Sequence, residues 1–518
     1  MKKILWICKE SFTGPINSCL SEFQNYENEA LFIHPTESVL QDKTYVNFKK
    51  INSEIIVHDL NSVFYEFGDN SKNKFDYNLL QKFLNKYSDF FGLDELLMSS
   101  QIFTTPYHNR FYFKDISDNE KYYWIYLLFN YFEKLLINSK PDFIFDLDNS
   151  EIGRSVLWLV SKKLNIPYIT IEHTRYDGYL IPNFSLGRRN DDYFTKELNN
   201  SNPSPESVSL VQEFKLKSKI INPDYNNNKT SKIKNNYFLN DIKKLIIYVY
   251  QVLLKYKNKL KLKSKYRSLP FIASSYKSII FFVKLIFRER FLLSSKNSYF
   301  KSPAQNQKYI YFPLHLIPES STLIKAPFYP SEDEIIKRLS KVMPLGWKVY
   351  IKEHGAMIGE RPIKFYKELS RLSNVEFIKL NAFNDPKDWI TNSEGVVTIT
   401  GTSAFEAAML GIPSIILGNT SFETIKGIYK LNSIDELGGY IQKFNGLKLE
   451  NTMSCSKYIE TIKKYGAKVG FTNMHNKCYQ HLLDLENNNK INELFKSDII
   501  NLSSVFKSGI GIIETKYD

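Results

Sequence analysis

Cysteine is scarce in this chain, and the N-terminus lacks the apolar core of a signal peptide. The four cysteines among 518 residues lie far apart and form no C-x-x-C pair. This spacing argues against a disulfide framework or a zinc site. The first apolar stretch, Ile4 to Cys8, is too short for a signal-peptide core and reads as a strand. We therefore expect a cytoplasmic protein.

Acidic residues are outnumbered, with 55 Asp and Glu against 69 Lys and Arg, and the formal net charge is +14. Most of the excess lies in residues 241–300, which contain 14 basic and two acidic residues. No nucleic-acid-binding motif accompanies the charge. Two amphipathic helical patterns occupy this stretch, and neither has the roughly 18 uninterrupted apolar residues of a spanning helix. We expect this insert to contact an anionic membrane surface, at the inner face of the cell membrane. The alternative is an insert packed on the protein with a solvated basic face.

Strand-like and helix-like patterns alternate in two blocks, which is typical of α/β domains. Five predicted strands fall in residues 1–190, which we assign to an N-terminal Rossmann-like domain that holds the acceptor and the catalytic group. A polar linker and the basic insert follow (191–300), with a polar loop predicted up to about 237. A second Rossmann-like domain for the nucleotide-sugar covers 301–445, and a helical segment and tail cover 446–518. Two such domains would face each other across a cleft.

The run TITGTSAFEAAMLGIPSIILG, residues 398–418, is the most informative part of the sequence. It predicts a strand, a turn at Gly401, a helix with Thr402 and Ser403 as N-cap candidates, and a second strand. A helix N-terminus at the carboxyl edge of a parallel sheet favours a phosphate group. Glu406, one turn into the helix, is placed to hold a ribose hydroxyl. The alternative is an ordinary crossover whose hydroxyls cap the helix.

Polar residues follow three predicted strands of the second domain, and they converge if those strands are neighbours. Together they would form a phosphate cradle for the donor. Arg361 could reach the same anion. The candidate donor-binding residues at these strand ends are His315, Glu319, Ser321, Lys352, Gly401, Thr402 and Ser403. His354 is a candidate catalytic residue that would stabilise the charge on the leaving nucleotide.

Carboxylates at a strand end of the first domain are candidates for catalysis. Asp146 and Asp148, in PDFIFDLDNSEIGR, could act as general base or as a nucleophile toward an anomeric carbon. The alternative for Asp148 is a helix cap. Their D-x-D spacing is too weak a pattern to indicate a metal. Glu10 and Arg175 follow two other strands and are candidates for substrate binding.

Several of these segments, taken in order, resemble the bacterial capsule polysaccharide biosynthesis protein family, which includes Kdo transferases. They are YFPLHLIPESST, APFYPSEDEII, KVYIKEHGAMIGERP, FYKEL and TITGTSAFEAAMLGIPSIILG. The resemblance is dense over about 305–420 and weaker over the first domain. It implies a metal-independent glycosyltransferase of the glycosyltransferase-B type that uses a nucleotide-sugar donor and no further cofactor.

The resemblance also implies roles for individual residues. His354 corresponds to the histidine of the family's His-Pro motif, and the turn at Gly401 corresponds to its phosphate-binding motif. A catalytic acid is implied in the first domain, which is Asp148 or Asp146 here. The chain departs from the family at Ile317-Pro318, where the family has Gln-Pro, and at His354-Gly355. These departures leave the nucleotide base, and with it the donor, open.

The sequence thus predicts transfer of a sugar, CMP-Kdo-like or other, to a capsular polysaccharide or a lipid-linked acceptor. Two alternatives remain at this stage. One is a nucleotide-sugar epimerase of similar fold, which needs neither an acceptor nor a membrane. The other is a non-catalytic polysaccharide assembly protein that keeps the fold without its chemistry.

Overall fold

The computed structural model describes residues 1–34, 36, 42–87, 92–104, 116–216, 238–261, 274–294, 298–379, 386–484 and 495–517. Apolar runs such as KILWIC form strands in the first domain because both faces of a parallel sheet are covered. Its strands are β1 (Lys3–Cys8), β2 (Glu27–Phe32), β3 (Ile56–Asp59), β4 (Phe143–Phe145), β5 (Tyr168–His173) and β6 (Tyr179–Asn183). Its helices are α1 (Thr13–Cys19), α2 (Asp42–Ile51), α3 (Asn61–Asn70), α4 (Tyr77–Tyr87), α5 (Leu93–Met98), α6 (Asp118–Ser139), α7 (Ile152–Lys163), α8 (Asp192–Asn200) and α9 (Pro205–Leu216).

Two long helices, α10 (Phe238–Lys261) and α11 (Ser275–Leu293), form the basic insert. The two predicted amphipathic helices are therefore confirmed. They pack against each other through the stacked rings of Tyr248 and Phe282, whose centroids lie 4.0 Å apart. Arg290 of α11 forms an ion pair with Asp241 of α10. We call this pair the basic hairpin. Across the described residues, no helix combines the length and the apolar character needed to cross a membrane.

The second domain repeats the alternation of strands and helices. Its strands are β7 (Phe300–Lys301), β8 (Tyr309–Pro313), β9 (Lys348–Lys352), β10 (Val375–Ile378), β11 (Gly395–Thr398), β12 (Ser414–Ile416) and β13 (Ile428–Lys430). Its helices are α12 (Ser320–Leu323), α13 (Glu332–Val342), α14 (Ile363–Leu369), α15 (Lys387–Thr391), α16 (Thr402–Met409) and α17 (Leu437–Ile441).

The C-terminal segment returns to the first domain. It comprises α18 (Thr452–Tyr465), β14 (Ala467–Lys468), α19 (Phe471–Leu483) and α20 (Lys496–Tyr517). Strand β14 pairs antiparallel with β6, and the ring of Phe506 in α20 stacks on Phe145 of β4 at 4.6 Å. These helices complete the core of the first domain, a role that sequence patterns did not predict.

Each domain contains one seven-stranded sheet. The order is β14-β6-β5-β4-β1-β2-β3 in the first and β13-β12-β11-β8-β9-β10-β7 in the second. Strands β1 to β5 and β7 to β13 pair in parallel, whereas β6 and β14 pair antiparallel. The predicted α/β fold class, with two Rossmann-like domains and a basic helical insert, is confirmed.

The structure corrects two local predictions. Residues 192–216, predicted as part of a polar loop, form α8 and α9, because Tyr193, Phe194 and Val211 bury apolar side chains against α18 and its neighbours. Residues 217–237 of that loop lie outside the described residues. Thr402 and Ser403, predicted as N-cap candidates, are instead the first two residues of α16, and the N-cap is Gly401.

Candidate functional site

Three strand ends of the second domain meet at one edge of its sheet. Strand β8 lies between β11 and β9 and pairs in parallel with both. The three strands are therefore neighbours, which is the condition for the predicted convergence. His315 follows β8, His354 follows β9 and Gly401 follows β11.

His315 is held by a chain of hydrogen bonds that ends at the glycine turn. Glu332 accepts from the backbone N–H of His315 at 2.7 Å and lies 3.1 Å from its Nδ1. Burial alone would raise the pKa of Glu332, but the charge of Arg361 and the bonds from His315 outweigh it and lower the pKa to about 2. Because the ionised Glu332 needs a donor, the proton of the imidazole is assigned to Nδ1, and Nε2 is left as an acceptor. Nε2 lies 3.0 Å from Thr398 Oγ1, which in turn accepts from the Gly401 N–H at 3.1 Å. His315 thus positions the turn at Gly401. Its direct contact with a nucleotide-sugar donor stays a prediction.

Arg361 is buried within a network of carboxylates. Its guanidinium donates to Glu332 at 2.5 Å, to Glu353, and to the carbonyl oxygen of His315 at 2.6 Å. Burial alone would lower the pKa of Arg361, but the two carboxylates outweigh it and raise the pKa. Burial raises the pKa of Glu353, although Arg361 opposes this, and Tyr366 donates to Glu353 at 2.5 Å. These contacts describe a positioning residue, and the substrate contact expected of Arg361 stays a prediction.

The glycine turn combines close packing with an unpaired hydroxyl. A Cβ on Gly401 would clash with Thr398 Oγ1 and would lie 3.3 Å from both His315 Nε2 and Ser403 Oγ. Only glycine therefore fits at this position. Ser403 is 8% exposed, and its Oγ is buried with no hydrogen-bond partner among the described residues. The first N–H groups of a helix have no intrahelical acceptor. The Gly401 N–H already donates to Thr398 Oγ1, so the helix presents the N–H groups of Thr402 and Ser403 and the Ser403 hydroxyl, which suit phosphate oxygens.

His354 caps a short 3₁₀ turn, Gly355–Met357, with its side chain. Its Nδ1 accepts from the Ala356 N–H at 3.3 Å. Burial and the charge of Arg361 lower the pKa of His354. The ring is therefore neutral at pH 7 with its proton on Nε2, which is a hydrogen-bond donor rather than a cation.

The other predicted donor-site residues lie around this edge. Ser321 Oγ donates to Glu319 at 2.6 Å, and the Ser321 carbonyl oxygen accepts from Thr400 Oγ1 at 2.8 Å. Lys352 is the last residue of β9 and is half-buried. Glu406 is half-buried in α16, one turn after its start.

The two candidate acids of the first domain have different environments. Asp146 is fully buried, and its Oδ2 accepts from Arg154 at 2.6 Å and from Tyr168 at 2.7 Å. Burial raises its pKa, although the adjacent Arg154 opposes this. The side chain of Asp148 is 15% exposed and accepts from Arg154 at 3.0 Å. Burial alone would raise the pKa of Asp148, but the charges of Arg154 and Lys9 and the bonds from Ser150 lower it. Asp148 is therefore ionised at neutral pH and reachable, whereas Asp146 supports Arg154.

Asp148 does not cap α7, because the N-cap residue is Glu151. Of the remaining predicted substrate residues, Glu10 begins a 3₁₀ turn (Glu10–Phe12) after β1, and Arg175 lies in the loop after β5. Both adopt positive φ angles, 45° and 65°. Their contacts with a substrate stay predictions.

The two domains meet beside Asp148. Lys325, which follows α12, forms a largely buried ion pair with Glu172 of the first domain. A Cβ on Gly187 (φ +73°) would lie 2.9 Å from Asn149 Nδ2 and 3.0 Å from Lys325 Cε. Asn149, which follows Asp148, and Lys325, which follows α12, thus both lie next to Gly187. This contact places the loop that carries Asp148 beside the segment that follows α12 in the second domain.

Sequence reasoning missed three charged residues that organise the site, namely Arg154, Glu332 and Lys325. Arg154 had a recognisable signal, because it is a lone charge in the apolar run IGRSVLWLV. Glu332 and Lys325 had none, because their partners are distant in sequence. Within the described part of the chain, no group of three or more His, Cys, Asp or Glu residues is placed to hold a metal ion.

No protein-family model matches the chain, and no curated protein matches it. Solved structures do. KpsC of Thermosulfurimonas dismutans, a beta Kdo 2,7 transferase, is 12% identical over 69% of this chain and 88% of its own, with a TM-score of 0.30. The UDP-GlcNAc 2-epimerase of Methanocaldococcus jannaschii is 13% identical over 90% and 100%, with a TM-score of 0.23. A glycosyltransferase of Rickettsia africae is 10% identical over 93% and 99%, with a TM-score of 0.26. At these identities and scores the likeness reaches no further than the fold.

Proposed function

We propose that this chain is a glycosyltransferase that moves a sugar from a nucleotide-sugar to a polysaccharide or lipid-linked acceptor. The observation that carries the proposal is the unpaired hydroxyl of Ser403. A buried polar atom without a partner is rare in folded proteins. This one lies at the N-terminus of α16, beside Gly401, where a Cβ would lie 3.3 Å from the hydroxyl oxygen. A phosphate oxygen of the donor would supply the missing partner.

The proposed reaction uses both sides of the cleft. The acceptor hydroxyl attacks the anomeric carbon and forms the new C–O bond, while Asp148 takes the hydroxyl proton. The bond between the anomeric carbon and the donor phosphate oxygen breaks, and the electron pair leaves with the nucleotide. The N–H groups of Thr402 and Ser403, together with Ser403 Oγ and His354 Nε2, stabilise the charge that develops on that phosphate.

Two variants test the proposal with CMP and UDP as probes. Ser403→Ala should weaken binding of the preferred nucleotide roughly 10- to 100-fold, as expected for one hydrogen bond to a charged group. It should not lower the melting temperature, because no internal hydrogen bond is lost. Ser393→Ala is the matched control, because Ser393 Oγ donates to the Ile390 carbonyl oxygen at 2.7 Å. The control should lower stability and leave nucleotide binding unchanged. Equal nucleotide affinity in Ser403→Ala and the unaltered chain would refute the donor site.

Asp148→Asn separates chemistry from binding. It should abolish transfer to an acceptor saccharide and keep nucleotide affinity, because Asp148 belongs to the first domain and the proposed nucleotide site belongs to the second. Interconversion of a UDP-sugar with its epimer in the absence of any acceptor would instead favour the epimerase.

We further propose that the basic hairpin holds the enzyme on the inner face of the cell membrane. Large apolar side chains on one face of α10 remain exposed, among them Ile246 (63%) and Tyr250 (62%). The same is true of Tyr276 and Phe287 (72%) on α11. Exposed apolar residues among basic ones suit an anionic lipid surface better than water. A lipid-linked acceptor would be reached from this surface.

A further inference from the structure

Four polar side chains lie together at the carboxyl edge of the first sheet. Strands β4, β1 and β2 are neighbours there. Asp148 follows β4, Lys9 follows β1 and His34 follows β2, while Arg154 of α7 donates to Asp148 at 3.0 Å. We call these residues the edge cluster. Burial, together with the nearby charges of Lys9 and Arg154, lowers the pKa of His34 to about 3.

The edge cluster contains several polar atoms without a partner. His34 is 3% exposed, and neither of its ring nitrogens has a hydrogen-bond partner among the described residues. Arg154 is fully buried, and its Nη2 is also unpaired within that part of the chain. Buried polar groups are nearly always satisfied, and exceptions indicate a bound molecule or a functional role. Three such atoms at one sheet edge therefore indicate a ligand.

The charges of the cluster define what kind of ligand fits. Lys9 and Arg154 carry two positive charges, Asp146 and Asp148 carry two negative charges, and His34 is neutral. An added anion would face Asp148, and an added cation would face Lys9, so either would leave a buried charge uncompensated. A sugar hydroxyl is neutral and both donates and accepts. Adjacent hydroxyls can accept from Lys9 and Arg154 and donate to Asp148 and His34.

We propose that the edge cluster binds two neighbouring hydroxyl groups of the acceptor saccharide. Asp148 holds the attacking hydroxyl, and His34 holds the adjacent one and selects for its configuration. This assignment rests on the proposed function for the role of Asp148. His34 is then a specificity-determining residue, whereas Lys9 and Arg154 orient the sugar.

The test exploits the unpaired state of His34. In His34→Phe the ring is kept beside Phe32, whose centroid lies 5.6 Å away, and two unpaired buried nitrogens are removed. The melting temperature should therefore stay equal or rise. Binding of the methyl glycosides of glucose, galactose, N-acetylglucosamine and N-acetylneuraminic acid is measured by saturation-transfer NMR. The glycoside that binds the unaltered chain should bind His34→Phe at least tenfold more weakly.

A matched control uses the same exchange at His58, whose Nε2 lies 3.0 Å from the buried Glu29. His58→Phe should show the opposite pattern, with lower stability and unchanged glycoside binding. Lys9→Met provides a second variant in the cluster and should also weaken binding. Unchanged glycoside affinity in His34→Phe and Lys9→Met, or displacement of the glycoside by inorganic phosphate, would overturn the inference. CMP and UDP affinity is measured on the same samples, so loss of the donor site and loss of the acceptor site are distinguished.

Discussion

Replacing Arg361 with methionine should reverse the pH dependence of stability in the second domain. In the unaltered chain, the pKa of Glu332 is lowered from 4.5 to about 2. This lowering of the pKa corresponds to about 3 kcal/mol of folding stability. Because the folded-state pKa is depressed, this contribution is present above pH 4.5 and is lost as the pH falls toward 2. About 1 kcal/mol of it is gone by pH 4.

The variant leaves two buried carboxylates without their cation. Glu332 is 4% exposed and Glu353 is 6% exposed, and both pair with Arg361 in the folded chain. Removing one partner of a buried ion pair costs about 3–5 kcal/mol. The folded-state pKa of Glu332 then lies above its unfolded value, and that of Glu353, which burial already raises in the unaltered chain, is raised further. The stability of Arg361→Met should therefore fall as the pH rises above about 4.5. In the unaltered chain, the contribution of Glu332 changes with pH in the opposite direction.

Urea unfolding between pH 4 and pH 8, followed by tryptophan fluorescence, measures both slopes. Trp347 and Trp389 are buried in the second domain and report on it. Arg371→Met is the control, because Arg371 is exposed, and it should change stability by less than about 0.5 kcal/mol at every pH. A slope of unchanged sign in Arg361→Met would refute the assignment of a buried Arg361–Glu332–Glu353 network.

Two further variants probe the basic hairpin. Gly359→Ala should lower stability by about 1–2 kcal/mol in thermal unfolding, because φ is +85° and a Cβ would lie 2.8 Å from the Leu285 carbonyl oxygen. Gly439→Ala, with open space around it, should not lower stability, and equal effects at both positions would contradict the packing. Tyr250→Ser with Phe287→Ser should reduce sedimentation with vesicles of 30% phosphatidylserine at least tenfold. Unchanged sedimentation of that double variant would remove the membrane proposal.

Much of the fold is predictable from sequence because parallel strands covered on both faces produce continuous apolar runs. Strands β1 to β5 and β8 to β12 coincide with such runs. Strands β7, β13 and β14 are two or three residues long and, unlike the equally short β4 and β12, do not lie within a longer apolar run. The return of α20 to the first domain depends on contacts such as Phe506 with Phe145, more than 300 residues apart. No local pattern contains that information.

The sequence predicted the sheet edge at which the candidate site lies, but it did not predict the hydrogen bonds and ion pairs within that site. The carboxyl ends of parallel strands form one edge, so the sequence placed His315, His354 and Gly401 together on the condition that their strands are neighbours, and the pairing of β8 with β11 and β9 meets that condition. The ring nitrogen of His315 that carries the proton was assigned from its contact with Glu332. The position of Glu332, in the first turn of α13, follows only from tertiary packing. Tertiary packing also gives Asp148 and Asp146 different exposure and different hydrogen-bond partners, although the two residues are only two positions apart.

The loop that follows β9 contacts both the basic hairpin and the edge of the second sheet at which His315 lies. Arg288 of α11 donates to the Glu360 carbonyl oxygen at 3.1 Å, and the next residue, Arg361, holds Glu332 and the His315 carbonyl oxygen. Gly359→Ala disturbs the hairpin side of this loop, whereas Arg361→Met disturbs the carboxylate side. Only the second change removes the cation of Glu332. The two variants should therefore both be less stable, and only Arg361→Met should reverse the pH slope.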